Sequence, residues 1–208
     1  MTRQSELYSL LIKYKISDVC SDVLSLCEFY HHPSWKEVCI ILHSCSSINQ
    51  LLDFLKNDEL LSFEMLLDVC AVDYPDQEKR FEVVYHLLSL TNNWRLRVRL
   101  PVSQDESVPS AHEIYHSSNW YEREVYDMFG IKFLSHPNLK RILNENDFEH
   151  YPLRKDFPLS GHHDVCFEPS TGTVVKKPIM LEQAYRNFDS ENPWRSVTLP
   201  GDEKATKG

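Results

Sequence analysis

The chain has 208 residues, 42% apolar and 25% charged, an ordinary globular composition that is long enough to bury a self-sufficient core. Acidic residues outnumber basic ones 31 to 22, and the formal net charge of −9 excludes a general phosphate-neutralising role, so nucleic acid is not an expected partner. The longest aliphatic runs, such as Ile40-Ile41-Leu42, fall far short of the roughly 20 residues that cross a bilayer, so any membrane association is expected to come through other chains.

The opening Met1-Thr-Arg-Gln-Ser-Glu6 fits neither a secretory signal nor an Arg-rich, acid-poor transit peptide, and it implies synthesis in the compartment of use. From residue 5 to 30 apolar side chains recur at helical spacing: Leu7, Leu10, Leu11 and Tyr14, then Val19, Val23, Leu24, Leu26 and Cys27. The break at Ile16-Ser17-Asp18 offers Ser17 or Asp18 as the cap of a second helix, and residues 1–34 read as an N-terminal helical extension. Val38–Leu42 is a short strand, Ser46 or Ser47 opens a helix through Leu55, and a helical patch around Phe63–Leu67 leads into Val69–Val72. Arg80–Leu90 and Trp94–Val102 are strands joined by a turn at Thr91-Asn92-Asn93. The second alternates, with Arg95, Arg97 and Arg99 on one face and Leu96, Val98 and Leu100 on the other, as expected where one sheet face meets water. Three arginines in line can bind an anion, but a solvated outer face is the simpler reading.

A polar loop at 103–110 precedes a helical region in which Asn119 and Glu122 are spaced as a capping box and Gly130 as a C-terminal stop. Tyr121, Val125, Met128 and Phe129 form its apolar face, and Arg123 and Asp127 lie one turn apart on a polar side. In Pro152–Leu159 two prolines hold the backbone extended, and Leu153, Phe157 and Leu159 surround Arg154, Lys155 and Asp156. That density of charge, aromatics and proline reads as a docking surface, with a rigid loop packed on its own domain as the alternative. Val165–Phe167 and Thr173–Val175 form a small hairpin. Residues 176–208, aromatic yet broken by Pro178 and Asn192-Pro193, suit an extended tail lying on a partner. The pattern predicts an α+β domain over 35–175, with a mainly antiparallel sheet and helices on one face.

Sites of chemistry are few. His112-Glu-Ile-Tyr-His116 has the i, i+4 spacing of a zinc-binding helix, which makes a metal hydrolase the one enzymatic alternative, though no third ligand has a diagnostic spacing. Glu122, Arg123, Glu124 and Asp127 form either a proton-handling cluster or a charged helix surface. No glycine-rich phosphate loop exists, and the six cysteines have no metal-ligand spacing and read as buried thiols.

Taken together, Val72-Asp-Tyr-Pro75, Arg80-Phe-Glu-Val-Val-Tyr85, Trp120–Gly130, His136–Leu143, Pro152–Leu159, Glu182–Phe188 and Pro193-Trp194 resemble the thirty-kilodalton subunit family of respiratory complex I, the proton-pumping NADH:quinone oxidoreductase. Residues 35–196 are covered; His150-Tyr151 departs from the Gly-His usual in the family. The resemblance implies a scaffold subunit of the hydrophilic arm with no catalytic residue, cofactor or metal of its own, packed against the forty-nine-kilodalton subunit, with a C-terminal segment that wraps its neighbours. FMN, iron–sulfur clusters and ubiquinone are then expected on other chains of the assembly. The expected partner contacts are Trp120, Glu122, Arg123, Glu124, Asp127, His136 and Arg141; Arg154, Lys155, Asp156 and Phe157; and Tyr185, Arg186, Phe188 and Trp194. The matrix side of the mitochondrial inner membrane is the expected location, with the cytoplasmic face of a bacterial plasma membrane as the alternative. A related quinone reductase or membrane-bound hydrogenase is the alternative assembly.

Overall fold

Strand alternation in the middle of the chain builds the sheet on which everything else is mounted. The computed structural model describes residues 25–31 and 38–181. Its principal sheet has five strands: β1 (Cys27–His31), β2 (Val38–Leu42), β3 (Met65–Asp73), β4 (Phe81–Ser89) and β5 (Trp94–Val102), in the order β1-β2-β5-β4-β3. All neighbours are antiparallel except β2 and β5. The predicted hairpin of β4 and β5 forms in register, Tyr85 opposite Val98 and Val83 opposite Leu100.

Between β2 and β3 the chain crosses through a short 3-10 turn, Cys45–Ser47, and helix α1 (Ile48–Asn57). Ile48, Leu51, Leu52 and Leu55, at i, i+3, i+4 and i+7, are buried in one core with Val38, Ile40, Val83, Tyr85, Leu96, Val98 and Leu100. Each such side chain contributes about 1.5–3 kcal/mol by leaving water.

Three readings change. Cys27, placed in a helix by its spacing, begins an edge strand antiparallel to β2, Cys27 facing Leu42; pairing with a formed neighbour overrides a weak local period. The helices read upstream of it lie outside the described residues. Phe63–Leu67 is not helical. The Asp58 carboxylate accepts the N–H groups of Leu60 and Leu61, Ser62 takes φ 43°, and β3 starts at Met65. A register irregularity between Leu66 and Asp68 breaks the two-residue period of β3, so its apolar run looked helical. Lastly, the polar loop 103–110 contains β6 (Ser107–Pro109), which pairs in parallel with β7 (Lys132–Leu134), too short to stand out in sequence.

Segment 110–117 is pinned to α1 and to the loop after it before the next helix begins. Asn49 Nδ2 donates to the Ser110 carbonyl at 3.0 Å, Lys56 Nζ to that of Ile114, and Tyr115 Oη to that of Phe63 at 2.6 Å. Helix α2 (Ser118–Phe129) follows and packs beside β3.

The chain divides into two compact units, the first ending at Leu159. The second contains the predicted hairpin as β8 (His163–Glu168) and β9 (Thr173–Pro178), antiparallel, with Phe167 opposite Val174.

Tyr85 is fully buried and its hydroxyl has no hydrogen-bond partner among the described residues, so it loses hydration without compensation there. Tyr85→Phe is expected to leave stability unchanged or to raise it by about 1 kcal/mol. Urea unfolding of the two proteins checks this; a loss would mean that the hydroxyl is bound.

Candidate functional site

Helix α2 carries two acids that burial should forbid, and each is held by a different set of donors. Glu122 is fully buried; its carboxylate accepts Ser110 Oγ at 2.6 Å and the Ala111 N–H at 2.7 Å. Burial pushes its carboxyl up from the ordinary range, and these two hydrogen bonds only partly oppose that. The capping box expected from Asn119 and Glu122 is absent: Ser117 is the N-cap, without a side-chain bond, and Glu122 instead binds the preceding segment. The side chain of His136, also enclosed, lies 3.9 Å from Glu122. Its Nδ1 accepts the Asn138 N–H at 3.1 Å, which leaves Nε2–H to donate to the Asn119 carbonyl at 3.1 Å.

Asp127 sits in the last turn of α2, where the helix dipole opposes a negative charge. It survives there because five donors converge on it: the N–H groups of Ile142, Leu143 and Asn144 at 3.0, 2.7 and 2.8 Å, Asn144 Nδ2 at 3.0 Å and Arg141 Nη1 at 2.7 Å. Burial alone would raise its carboxyl pKa, but the Asn144, Arg141 and Ile142 donors outweigh it and hold the group well below the usual range. One turn earlier, Arg123 donates to the carbonyls of Lys140 and Arg141 at 3.0 and 3.1 Å. The polar side of α2 is therefore covered by loop 136–144.

Beyond that loop, Pro152–Leu159 clasps its own domain. Asp73, with no exposed side-chain surface, accepts Arg80 Nε at 2.7 Å, Arg80 Nη2 at 2.9 Å and the Lys155 N–H at 2.7 Å, and Arg80 reaches Asp156 at 3.0 Å. The Arg80 bonds hold the Asp73 carboxyl below its ordinary value. Arg154 donates from Nε to the Phe129 carbonyl at 2.6 Å and lies over Tyr151, 4.4 Å from the ring centre, and Phe81, 5.1 Å away. Burial, then repulsion from Arg80, lowers its guanidinium pKa. Gly130 makes this approach possible: it ends α2 at φ 80°, and a Cβ there would stand 2.5 Å from Arg154 Nη2 and 2.7 Å from Tyr151. Phe157 packs at about 6 Å from Phe148 and His150. The departure His150-Tyr151 thus joins two aromatic contacts within the domain.

These positions sort the expected contacts. Glu122 and Asp127 are fully buried and have no surface for a partner; a close-packed interior with internal donors is their environment. His136 is likewise enclosed, while Arg123, Arg141, Arg154 and Phe157 are half-buried and spent largely on their own chain. Trp120, Glu124, Lys155 and Asp156 are exposed. Tyr185, Arg186, Phe188 and Trp194 lie outside the described residues. Asp73, Ser110 and Asn144 were missed as organising residues. Asp73 falls within Val72-Asp-Tyr-Pro75, but its partner, the Lys155 N–H, is distant in the chain and leaves no local signal.

His112 and His116 occupy turns before α2 rather than one helix face, with ring centres 5.2 Å apart. Among the described residues no group of three His, Cys, Asp or Glu could hold a metal ion. Cys39 and Cys45 are buried as expected, but Cys27, Cys70 and Cys166 are half-exposed.

An α+β scaffold whose charged residues bind its own loops is defined by this arrangement. Its sequence matches the respiratory-chain NADH dehydrogenase, 30 Kd subunit, over residues 41–163. It is also similar to three bacterial proteins, each named as a subunit of an NADH-quinone oxidoreductase. The Hyphomonas neptunium protein is 50% identical over 160 residues (76% of this chain, 79% of the relative), and that of Parvibaculum lavamentivorans 48% over 167 (79% and 84%). The Methylobacterium radiotolerans protein is 44% identical over 178 residues (85% and 82%). The chain belongs to the thirty-kilodalton subunit family of the respiratory-chain NADH dehydrogenase.

Asp127→Asn should cost about 3 kcal/mol, because one carboxylate oxygen becomes a donor facing donors. The folded-state pKa is lowered, so the stabilisation is complete above the ordinary carboxyl pKa near 4 and disappears as pH falls towards the folded value. Chemical denaturation of both proteins between pH 7 and pH 3 should show the difference shrinking with acid. For Gly130→Ala, a loss of about 1–3 kcal/mol and a released Arg154 are expected, measurable as a lower Tm.

Proposed function

We propose that this chain is a non-catalytic scaffold subunit in the hydrophilic arm of a proton-translocating NADH:quinone oxidoreductase, supporting the quinone-reducing module through contact with the forty-nine-kilodalton subunit. Family membership supports the assembly, and one structural observation supports the scaffold role. Between residues 120 and 159 five large apolar side chains, Trp120, Leu134, Leu143, Leu153 and Leu159, are each more than half exposed. Meanwhile Glu122, Arg123, Asp127, Arg141 and Arg154 are bound internally, while Glu124, Lys155 and Asp156 stay exposed around them. Rigidly held apolar side chains above a satisfied polar layer are suited to burial against another protein, since they lose little entropy on binding.

FMN, iron–sulfur clusters and ubiquinone belong, in this reading, to other chains of the complex. The relatives named above are bacterial and give the mitochondrial setting no support, so the favoured location is the cytoplasmic face of a bacterial plasma membrane. Among the described residues no helix is long and apolar enough to cross a membrane, which suits attachment through the assembly. The relatives' common name favours NADH as the electron donor over the hydrogenase alternative.

Purification of the native assembly through a tag on this chain should recover flavin- and iron–sulfur-bearing subunits and NADH-dependent quinone reduction. A chain recovered alone would overturn the proposal. Trp120 is 61% exposed with Arg123 stacked on its ring at 5.2 Å. Trp120→Ala should leave the isolated chain's Tm unchanged but weaken assembly by about 2 kcal/mol, a roughly thirtyfold lower affinity for the neighbouring subunit.

A further inference from the structure

The five donors spent on Asp127 have no counterpart at Glu122, where a polar atom remains unused. Glu122 Oε2 accepts Ser110 Oγ at 2.6 Å, and Oε1 accepts the Ala111 N–H at 2.7 Å. Ser110 Oγ in turn accepts the His112 N–H at 3.2 Å, so its own hydrogen serves the carboxylate. Ser118 lies one turn before Glu122 on α2 and is fully buried with it. Its Oγ acts on the Glu122 charge, yet among the described residues it makes no hydrogen bond. A buried hydroxyl oxygen without a partner offers an acceptor, and a carboxyl can donate to it only after taking a proton.

The other titratable groups around Glu122 leave that proton to it. His136, from loop 136–144, already accepts the Asn138 N–H at Nδ1 and donates from Nε2 to the Asn119 carbonyl, so a proton added to its ring would set two donors face to face. Tyr85, from β4, is fully buried, and burial pushes its hydroxyl well above the ordinary value, so it brings no charge. His112 and His116, from segment 110–117, stand behind His136, with ring centres 6.5 Å from His136 to His112 and 5.2 Å from His112 to His116. Asp127, further along α2, is paired with Arg141.

We propose that Glu122 is the acceptor of a buried proton-binding site, the proton lodging between its carboxyl and Ser118 Oγ while Ser110 Oγ and the Ala111 N–H keep the bonds they have. The step takes one proton from water: an O–H bond forms on the carboxyl, the negative charge is cancelled, and no other bond breaks. Filling joins the first turn of α2, Glu122 and segment 110–117 in one neutral network, so the joint between them tightens. Burial raises the folded carboxyl, and the stabilisation is therefore complete below the ordinary carboxyl pKa of about 4 and is lost as pH rises through the folded value, the reverse of Asp127. The site belongs to this chain alone and does not depend on the assembly.

The test follows the carboxyl carbon of isotope-labelled glutamate by NMR in the full chain across a pH series, with Glu122 assigned as the signal that Glu122→Gln removes. Should that variant fail to fold, through-bond assignment in the unaltered chain identifies the same carbon. A midpoint above the ordinary glutamate value of about 4.3 is expected. Ser118→Ala, which removes the acceptor, should lower the proton affinity at least about threefold, a midpoint lower by about half a pH unit. Hydrogen exchange supplies the second readout: protection of the Ala111 amide should rise several-fold as pH falls through that midpoint, while that of Leu143, bound to Asp127, stays level. A Glu122 carbon that titrates at or below the ordinary value overturns the site, and so does a midpoint that Ser118→Ala raises or leaves in place. Ala111 protection that is flat across the midpoint overturns the tightening.

Discussion

A carboxylate in the last turn of a helix faces the negative end of the helix dipole, and a buried one also loses its hydration. Asp127 meets both penalties, and the only arrangement that offsets them is a ring of donors brought from elsewhere. Those donors come from residues 141–144, so the charge of one side chain determines where the following loop runs. Arg141, fixed by that bond, lies over Phe148 and Tyr151; Tyr151 in turn lies under Arg154, and Arg154 fills the space that Gly130 leaves open. The loop, the aromatic cluster and the proline-framed clasp are thus successive consequences of one buried charge.

Glu122, between one and two turns earlier in the same helix, shows what happens with fewer donors. It receives Ser110 Oγ and one backbone N–H, and burial wins: its carboxyl rises while that of Asp127 falls. Both depth and donors separate them: neither has exposed surface, but Glu122 lies deeper in the fold, where burial outweighs its donors, and Asp127 has Arg141 and the donors of Ile142 and Asn144 around it. Both bonds nevertheless fasten α2 to the segments before and after it. Asp73 does the same for the clasp from the end of β3.

This internal use of charge bears on how such a chain serves an assembly. Polar groups that are fully partnered at home do not have to be desolvated again when another subunit arrives, while exposed apolar groups such as Trp120 and Leu159 gain from burial. In the proposed role a surface of that kind would associate chiefly through apolar contact. In that role the buried acids would supply the rigidity and the exposed apolar side chains the adhesion.

Strict alternation made the β4–β5 hairpin and its core face legible in the sequence, because a two-residue period has only one geometric meaning. The 3.6-residue spacing did the same for α1 and for the apolar face of α2, and Gly130 marked a stop that only a left-handed residue makes easily. Resemblance in the Trp120–Gly130 and Pro152–Leu159 stretches identified the family. The strand at Cys27–His31, the strand in place of a helix at Met65 and the short β6–β7 pair were not legible, since each exists only through a partner distant in the chain. The same reason explains why Glu122 and Asp127 looked like surface charges. Sequence spacing reports which residues share a helix face; whether that face meets water or a ring of donors from residue 110 or 144 depends on the tertiary path, and that path alone decided that these acids hold the fold together.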